Sequence, residues 1–183
     1  MKNYLLTIIL ITFIASPLFG QSSDEKKFAF RTAFVGHALT YNLDKRNGVG
    51  FQIGQFTTGI NVDNVEEIEK SFYGFNYAYA IDCINCNSYF VVTFLNNSSS
   101  IIKTDDGSTY TYSGWGLSVV GGYSWYFEND FSVVLGVGPI FSSESKESEN
   151  IKSSKGYGTD ADERIEELSF LPLVPLLFVG YSF

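Results

Sequence analysis

The chain has 183 residues and a formal net charge of −8, with 17% aromatic and 17% charged residues. This negative charge disfavours a nucleic acid partner, because the chain would repel the phosphate backbone. No segment after residue 20 holds 18 consecutive apolar residues, so a membrane protein built from transmembrane helices is not expected.

The first 20 residues have the three parts of a secretory signal peptide. Lys2 supplies a positive charge, residues 4–15 form an apolar run, and residues 16–20 include the small or turn-prone Ser16, Pro17 and Gly20. A run of this length is shorter than the roughly 20 residues of a spanning helix. We therefore expect cleavage after Gly20, and no lipid anchor, since no cysteine lies near that position.

Several later segments alternate large apolar residues with small or polar ones, as strands between two environments do. In residues 71–82, for example, Tyr73, Phe75 and Tyr77 alternate with Gly74 and Asn76. Segments 115–127 and 131–141 follow the same pattern. The pattern predicts a β-barrel with its large residues facing lipid and its small ones facing a narrow lumen. In the alternative, a soluble barrel or sandwich, the large residues would form a core.

Seven candidate strands can be recognised, whereas single-chain bacterial barrels have even numbers of strands. We therefore expect an antiparallel up-and-down transmembrane barrel of eight strands over residues 21–183. The missing strand could come from splitting the first segment near Gly36, or from the long loop near residues 143–167. The alternation is lost near Gln55, where a bulge is expected. The seven segments are 28–41, 49–62, 71–82, 88–96, 110–127, 130–142 and 170–183.

The end of the sequence carries a family resemblance. Val179, Tyr181 and Phe183 occupy alternate positions, and the last residue is aromatic. This pattern resembles the terminal signal of small outer-membrane barrels of the OmpX and OmpA-transmembrane type. The resemblance implies that the barrel assembly machinery reads these three residues, and that the protein resides in the bacterial outer membrane.

Two cysteines, Cys83 and Cys86, are separated by two residues in a short connection. The ends of a four-residue turn lie within 7 Å, a spacing that a disulfide can bridge. Oxidising conditions outside the cytoplasm favour its formation. Free thiols are the alternative, and redox chemistry is disfavoured because no thioredoxin-like βαβ pattern surrounds the pair.

His37 is the only histidine, so any histidine-dependent catalysis would have to use it. No motif ties it to a particular serine or acidic residue, and a lumen or surface position is the favoured interpretation. Arg31 is expected in a polar network of the lumen. We therefore do not expect an enzyme, and a lipid-modifying enzyme that uses His37 remains an alternative.

Residues 143–167 are acidic and serine-rich and contain few bulky apolar residues. Such a segment buries little surface, so a mobile extracellular loop is expected. Residues 159–163, which include Asp160 and Asp162, could bind a divalent cation, but they lack the ligand set and glycine of an EF-hand. For residues 159–163, a solvent-exposed surface is therefore favoured over a cation site.

The leading functional hypothesis is a noncatalytic surface protein whose loops contact an extracellular ligand. Its expected partners are outer-membrane lipid and the assembly machinery, with no cofactor and no metal. Besides the lipid-modifying enzyme, the alternative is a soluble periplasmic barrel that binds an apolar ligand, as lipocalins do.

Overall fold

A computed structural model describes residues 26–62, 64–152 and 157–183, with the backbone alone at residues 60–62. The expected signal peptide and its cleavage after Gly20 lie outside these residues. The described residues form eight strands and one helix: β1 (Phe28–Ala33), β2 (Gly36–Asn42), β3 (Asn47–Val62), β4 (Val65–Ala80), β5 (Ser88–Thr104), β6 (Thr109–Tyr126), β7 (Phe131–Asn150), α1 (Gly158–Glu167) and β8 (Phe170–Ser182).

The eight strands form a closed antiparallel barrel. Each strand pairs with the next one along the chain, and β8 pairs with β1. Where the first strand begins and the last one ends, Phe28 and Phe183 exchange backbone hydrogen bonds of 2.9 and 2.8 Å. The all-β, up-and-down, eight-stranded fold is therefore confirmed. We call the end with Phe28 and Phe183 the terminal end, and the opposite end the helix end.

The eighth strand arises from the split near Gly36. β1 and β2 are joined by a turn at Phe34 and Val35, and β2 begins at Gly36. A Cβ atom at Gly36 would lie 2.6 Å from the carbonyl oxygen of Ile53 on β3. Glycine therefore allows β3 to approach the start of β2, and the described residues of the long loop contain no separate strand.

The barrel exterior carries a belt of large apolar side chains, as the alternation predicts. Phe75 on β4 is 69% exposed, while its neighbour Asn76 faces the lumen and is 6% exposed. A pleated strand places successive side chains on opposite faces, so one strand serves both environments. The belt includes Tyr73, Tyr77, Tyr79, Trp115, Val119, Trp125, Leu135, Val137, Leu177 and Val179.

The strands from β3 to β7 are longer than a membrane requires. They contain 16 to 20 residues, whereas a membrane-spanning strand needs about 9–11. The excess lies at the helix end, where outward residues become polar, as at Gln55, Ser71, Asn97 and Ser143. The wall therefore continues beyond the apolar belt on one side of the barrel.

The segment 143–167, expected to be a mobile loop, forms regular secondary structure over most of its length. β7 continues to Asn150, paired with β6 through Thr109, and residues 158–167 form α1. The ladder needs only backbone hydrogen bonds, so polar side chains do not prevent it. No helix among the described residues is both long and apolar enough to cross a membrane.

The predicted bulge near Gln55 is wrong. The β3–β4 ladder is regular from Asn47 to Gly59, and its irregularity lies between Gly59 and Val62. The alternation is lost because Phe56, a large apolar residue, occupies a lumen-facing position on this ladder. Large residues on both faces conceal the two-residue period of a strand.

Candidate functional site

Two phenylalanines, Phe94 and Phe178, divide the barrel lumen into two cavities. The lower cavity, towards the terminal end, has a volume of about 60 Å³. The upper cavity, towards the helix end, has a volume of about 330 Å³. Both phenylalanines line both cavities, so their rings lie at the boundary.

The terminal end is closed by the connection between β4 and β5. Ile84 points into the lower cavity and is 6% exposed. It lies between Cys83 and Cys86, whose sulfur atoms are bonded in the structure and whose Cα atoms are 5.5 Å apart. An ion pair between Lys26 and Asp130 joins two further segments at this end. Side chains therefore fill the terminal end of the lumen.

At the helix end, the apolar side of α1 packs against the inner face of the extended part of the wall. Ala161 and Ile165 on the helix are buried against Ile68, Ile102 and Tyr110 of β4, β5 and β6. Leu168, just beyond the helix, packs against the same cluster. Ala161, Ile165 and Leu168 are spaced four and three positions apart, so they lie on one helix face. We call α1 the lid, and this face is its apolar side.

Polar contacts tie this lid to the wall. The Tyr112 hydroxyl donates a hydrogen bond of 2.7 Å to Asp162, and Lys146 lies 2.9 Å from the other carboxylate oxygen. Asn64 donates a bond of 3.1 Å to Asp160. Burial raises the pKa of Asp162, but the bonds from Tyr112 and Lys146 outweigh burial, and the net pKa lies below its usual value.

The upper cavity has one polar side. Lys70 lies 2.7 Å from the Glu144 carboxylate, which also accepts a hydrogen bond of 2.7 Å from Ser98. The Glu144 side chain is 2% exposed. Gln52 and Asn96 hydrogen-bond to each other lower on the same side. The charge of Lys70 is therefore neutralised within the lumen wall.

The remainder of the upper cavity is apolar, which sequence reasoning missed. The expectation of a small and polar lumen holds at positions such as Thr40 and Asn76 in the lower half, but Phe90 and Val134 also line that half, and the upper half contains phenylalanine and leucine at lumen-facing positions. The available signal was the presence of large residues, such as Phe72, on strand faces that otherwise hold small ones. This apolar part of the lining includes Phe56, Phe72, Ile140, Leu171, Val174 and Leu176.

The structure places His37 near the tip of the β1–β2 hairpin. Its Nδ1 atom lies 2.8 Å from the Thr32 hydroxyl, and its ring stacks on Phe30 with ring centroids 5.9 Å apart. Among the described contacts, none joins His37 to a carboxylate or a serine. His37 also lines the upper cavity. Arg31 lines the lower cavity.

The residues predicted as a cation-binding alternative lie on α1. The carboxylates of Asp160 and Asp162 contact Asn64, Tyr112 and Lys146, so they serve to attach the helix. The described part of the chain holds no group of three or more histidine, cysteine or acidic residues arranged to bind a metal ion.

Val179, Tyr181 and Phe183 lie at alternate positions of the β8 region, facing away from the lumen. Val179 and Tyr181 pair with Thr32 and Phe30 of β1. The Phe183 ring stacks on Phe28 with centroids 5.9 Å apart. These residues therefore contribute to the seam between the first and last strands.

The fold and its closed lumen define an eight-stranded antiparallel barrel with a helical lid. One solved structure with similarity to the chain is the crystal structure of CarO from Acinetobacter baumannii, with a TM-score of 0.42 and 11% sequence identity. The match covers 89% of this chain and 100% of that one. No family model and no curated protein matches the chain.

Proposed function

We propose that the protein is a noncatalytic β-barrel of the bacterial outer membrane, acting as a surface protein through its helix end. The observation that carries this proposal is the outer belt of exposed large apolar residues, such as Phe75, Leu135 and Leu177. Soluble monomers rarely expose continuous apolar surfaces larger than a few hundred Å². Tyrosine and tryptophan within the belt suit the interface between lipid and water.

The closed lumen argues against a general diffusion pore. Ile84 fills the terminal end, Phe94 and Phe178 lie across the middle, and α1 packs against the inner face of the wall at the helix end. Barrels of eight strands have interiors just wide enough to be filled by side chains. Other molecules therefore contact the outer belt and the polar extension of the wall.

The proposed partners follow from this division of the surface. Outer-membrane lipid contacts the belt, and the barrel assembly machinery reads Val179, Tyr181 and Phe183 during insertion. With the terminal end in the periplasm, the helix end faces the medium. There Lys103 lies 2.6 Å from Glu67 and 3.1 Å from Glu69 on the wall, giving a charged surface for an extracellular ligand.

Membrane fractionation combined with heat-modifiable gel mobility tests the proposal. We expect the full chain in the outer-membrane fraction, with an unheated band that migrates differently from the boiled one. The upper cavity would also suit a soluble barrel that binds an apolar ligand. Recovery of the folded protein in the soluble periplasmic fraction, without detergent, would reject the membrane proposal in favour of that alternative.

A further inference from the structure

The barrel wall has a notch above the β1–β2 hairpin. β2 pairs with β3 only as far as Gly54, and β1 pairs with β8 only as far as Val179. One further bond, from the Gln55 amide to the Val35 carbonyl at 3.1 Å, joins the hairpin tip to β3. Within the described ladders, residues 56–62 of β3 and 170–178 of β8 thus have no strand partner on the sides that face each other.

The sequence of β8 suits an edge with no partner. It contains Pro172 and Pro175, and proline lacks the amide hydrogen that a central strand would donate. The β7–β8 register also shifts between the Gly138–Val174 and Ile140–Leu171 pairs, so Pro172 lies at an irregularity of the ladder. The notch is therefore specified by the chain itself.

The upper cavity lies directly behind this notch. Its lining includes Val35 at the hairpin tip, Phe56 on one edge of the notch, and Val174 and Pro175 on the other. Residues from all three sides of the opening therefore border the same space. Its volume of about 330 Å³ falls at the lower end of the range of small-molecule sites, which is about 300–1,000 Å³.

The rim of the notch is apolar. Phe34 at the hairpin tip is 100% exposed, and Leu173 on β8 is 72% exposed. In the described lining of the cavity, Lys70 is the single residue with a permanent charge, and Glu144 already neutralises it. An apolar rim leading to a largely apolar space favours an occupant without charge along its length, arriving from hydrocarbon rather than from water.

We propose that the upper cavity binds one acyl chain of a membrane lipid, which passes sideways through the notch between β3 and β8. This inference rests on the proposed membrane location. The notch opens at the helix end of the belt, so the lipid comes from the leaflet on that side. The headgroup stays at the polar extension of the wall, and the chain packs against Phe56, Leu171 and Phe178.

Tryptophan quenching by lipids brominated in their acyl chains tests this binding. Trp115 and Trp125 are replaced by phenylalanine, and Phe178→Trp supplies one reporter at the cavity floor. The full chain is refolded into phosphatidylcholine vesicles with or without bromine on the chains. We expect a loss of fluorescence comparable with that of a protein retaining Trp125 alone, because bromine quenches on close approach.

Two variants serve as controls. Phe90→Trp places a reporter in the lower cavity, beyond the phenylalanine boundary, and we expect little quenching there. Val174→Phe, added to Phe178→Trp, fills the upper cavity and should reduce the quenching, while heat-modifiable mobility shows that the barrel is still folded. If the variant with Val174→Phe and Phe178→Trp is folded and its quenching is undiminished, the inference is wrong.

The remaining outcomes separate the two proposals. If bromine quenches Trp125 but not the Phe178→Trp reporter, the acyl chain does not enter, and the membrane proposal stands alone. If iodide added to the water quenches that reporter instead, the cavity is filled by water and the inference is wrong. If neither Trp125 nor the reporter is quenched by brominated lipid, the membrane location itself fails.

Discussion

Asp162 on α1 accepts a hydrogen bond of 2.7 Å from the hydroxyl of Tyr112, a buried residue on the inner face of β6. This bond attaches the lid to the wall at a carboxylate whose pKa lies below its usual value. A carboxylate with a lowered folded pKa stabilises the folded state above its unfolded pKa, about 3.9 for aspartate. That stabilisation is lost as the pH falls through the lowered value.

We therefore expect Asp162→Asn to lower the unfolding free energy by about 1 kcal/mol or less at pH 7, since the contact is partly exposed. The difference from the wild type should begin to shrink as the pH falls below about 3.9, the unfolded pKa, and should disappear once the pH lies below the lowered folded pKa, where the wild-type carboxylate is protonated. Urea unfolding of both proteins in detergent at pH 7 and pH 3 measures this difference in unfolding free energy. An equal difference at both pH values would contradict the assigned role of the charge.

The Lys70–Glu144 pair gives a second prediction. Removing one partner leaves the other charge uncompensated inside the lumen, at a cost of about 3–5 kcal/mol. We expect Lys70→Met alone to destabilise the barrel by that order, and Lys70→Met with Glu144→Gln to recover most of the loss. Urea unfolding of the wild type, the two single variants and the double variant gives the coupling free energy between Lys70 and Glu144. Additive losses would show that the two side chains do not stabilise each other.

Gly122 and Gly121 offer a matched pair on β6. A Cβ atom at Gly122 would lie 2.0 Å from the Leu135 carbonyl oxygen, whereas at Gly121 the nearest atom is 3.9 Å away. Overpacking of this kind costs about 1–3 kcal/mol. We expect Gly122→Ala to reduce the yield of heat-modifiable folded barrel and Gly121→Ala to leave it nearly unchanged. Similar yields for the two variants would contradict the close packing of β6 against β7.

The bond between Cys83 and Cys86 closes a loop of four residues, so it restricts the unfolded chain little. Chain-entropy arguments give about 2 kcal/mol for such a loop. We expect thiol titration after denaturation without reductant to find no free thiol. The double variant Cys83→Ser with Cys86→Ser should lose no more than that amount of unfolding free energy. Two titratable thiols in the protein isolated from the envelope would refute the disulfide.

Much of the barrel could be predicted from alternation alone. The division of the first segment near Gly36 was one of two possibilities that the sequence left open, whereas the outward positions of Tyr73, Phe75 and Tyr77 follow directly from the two-residue period. The signal was clear there because small residues occupied one face and large ones the other.

The upper cavity and its lid were less accessible to sequence reasoning. Phe56 and Phe178 are large residues on the lumen side, so they obscure the alternation that identifies a strand. The apolar side of α1 consists of few residues, chiefly Ala161 and Ile165, within an acidic segment. Its folding depends on the wall of β4 to β6, a tertiary context that local composition does not contain.

Accessibility of spin labels tests the central claim, that the belt faces hydrocarbon. In a background of Cys83→Ser and Cys86→Ser, Leu135→Cys places a nitroxide in the belt on the outer face of β7. Ser145→Cys places one on the same face of β7, in the polar extension, where it pairs with Ser113. We expect the first label to relax preferentially with lipid-soluble oxygen and the second with an aqueous nickel chelate. Preferential access of the chelate to the label at Leu135→Cys would contradict the membrane barrel.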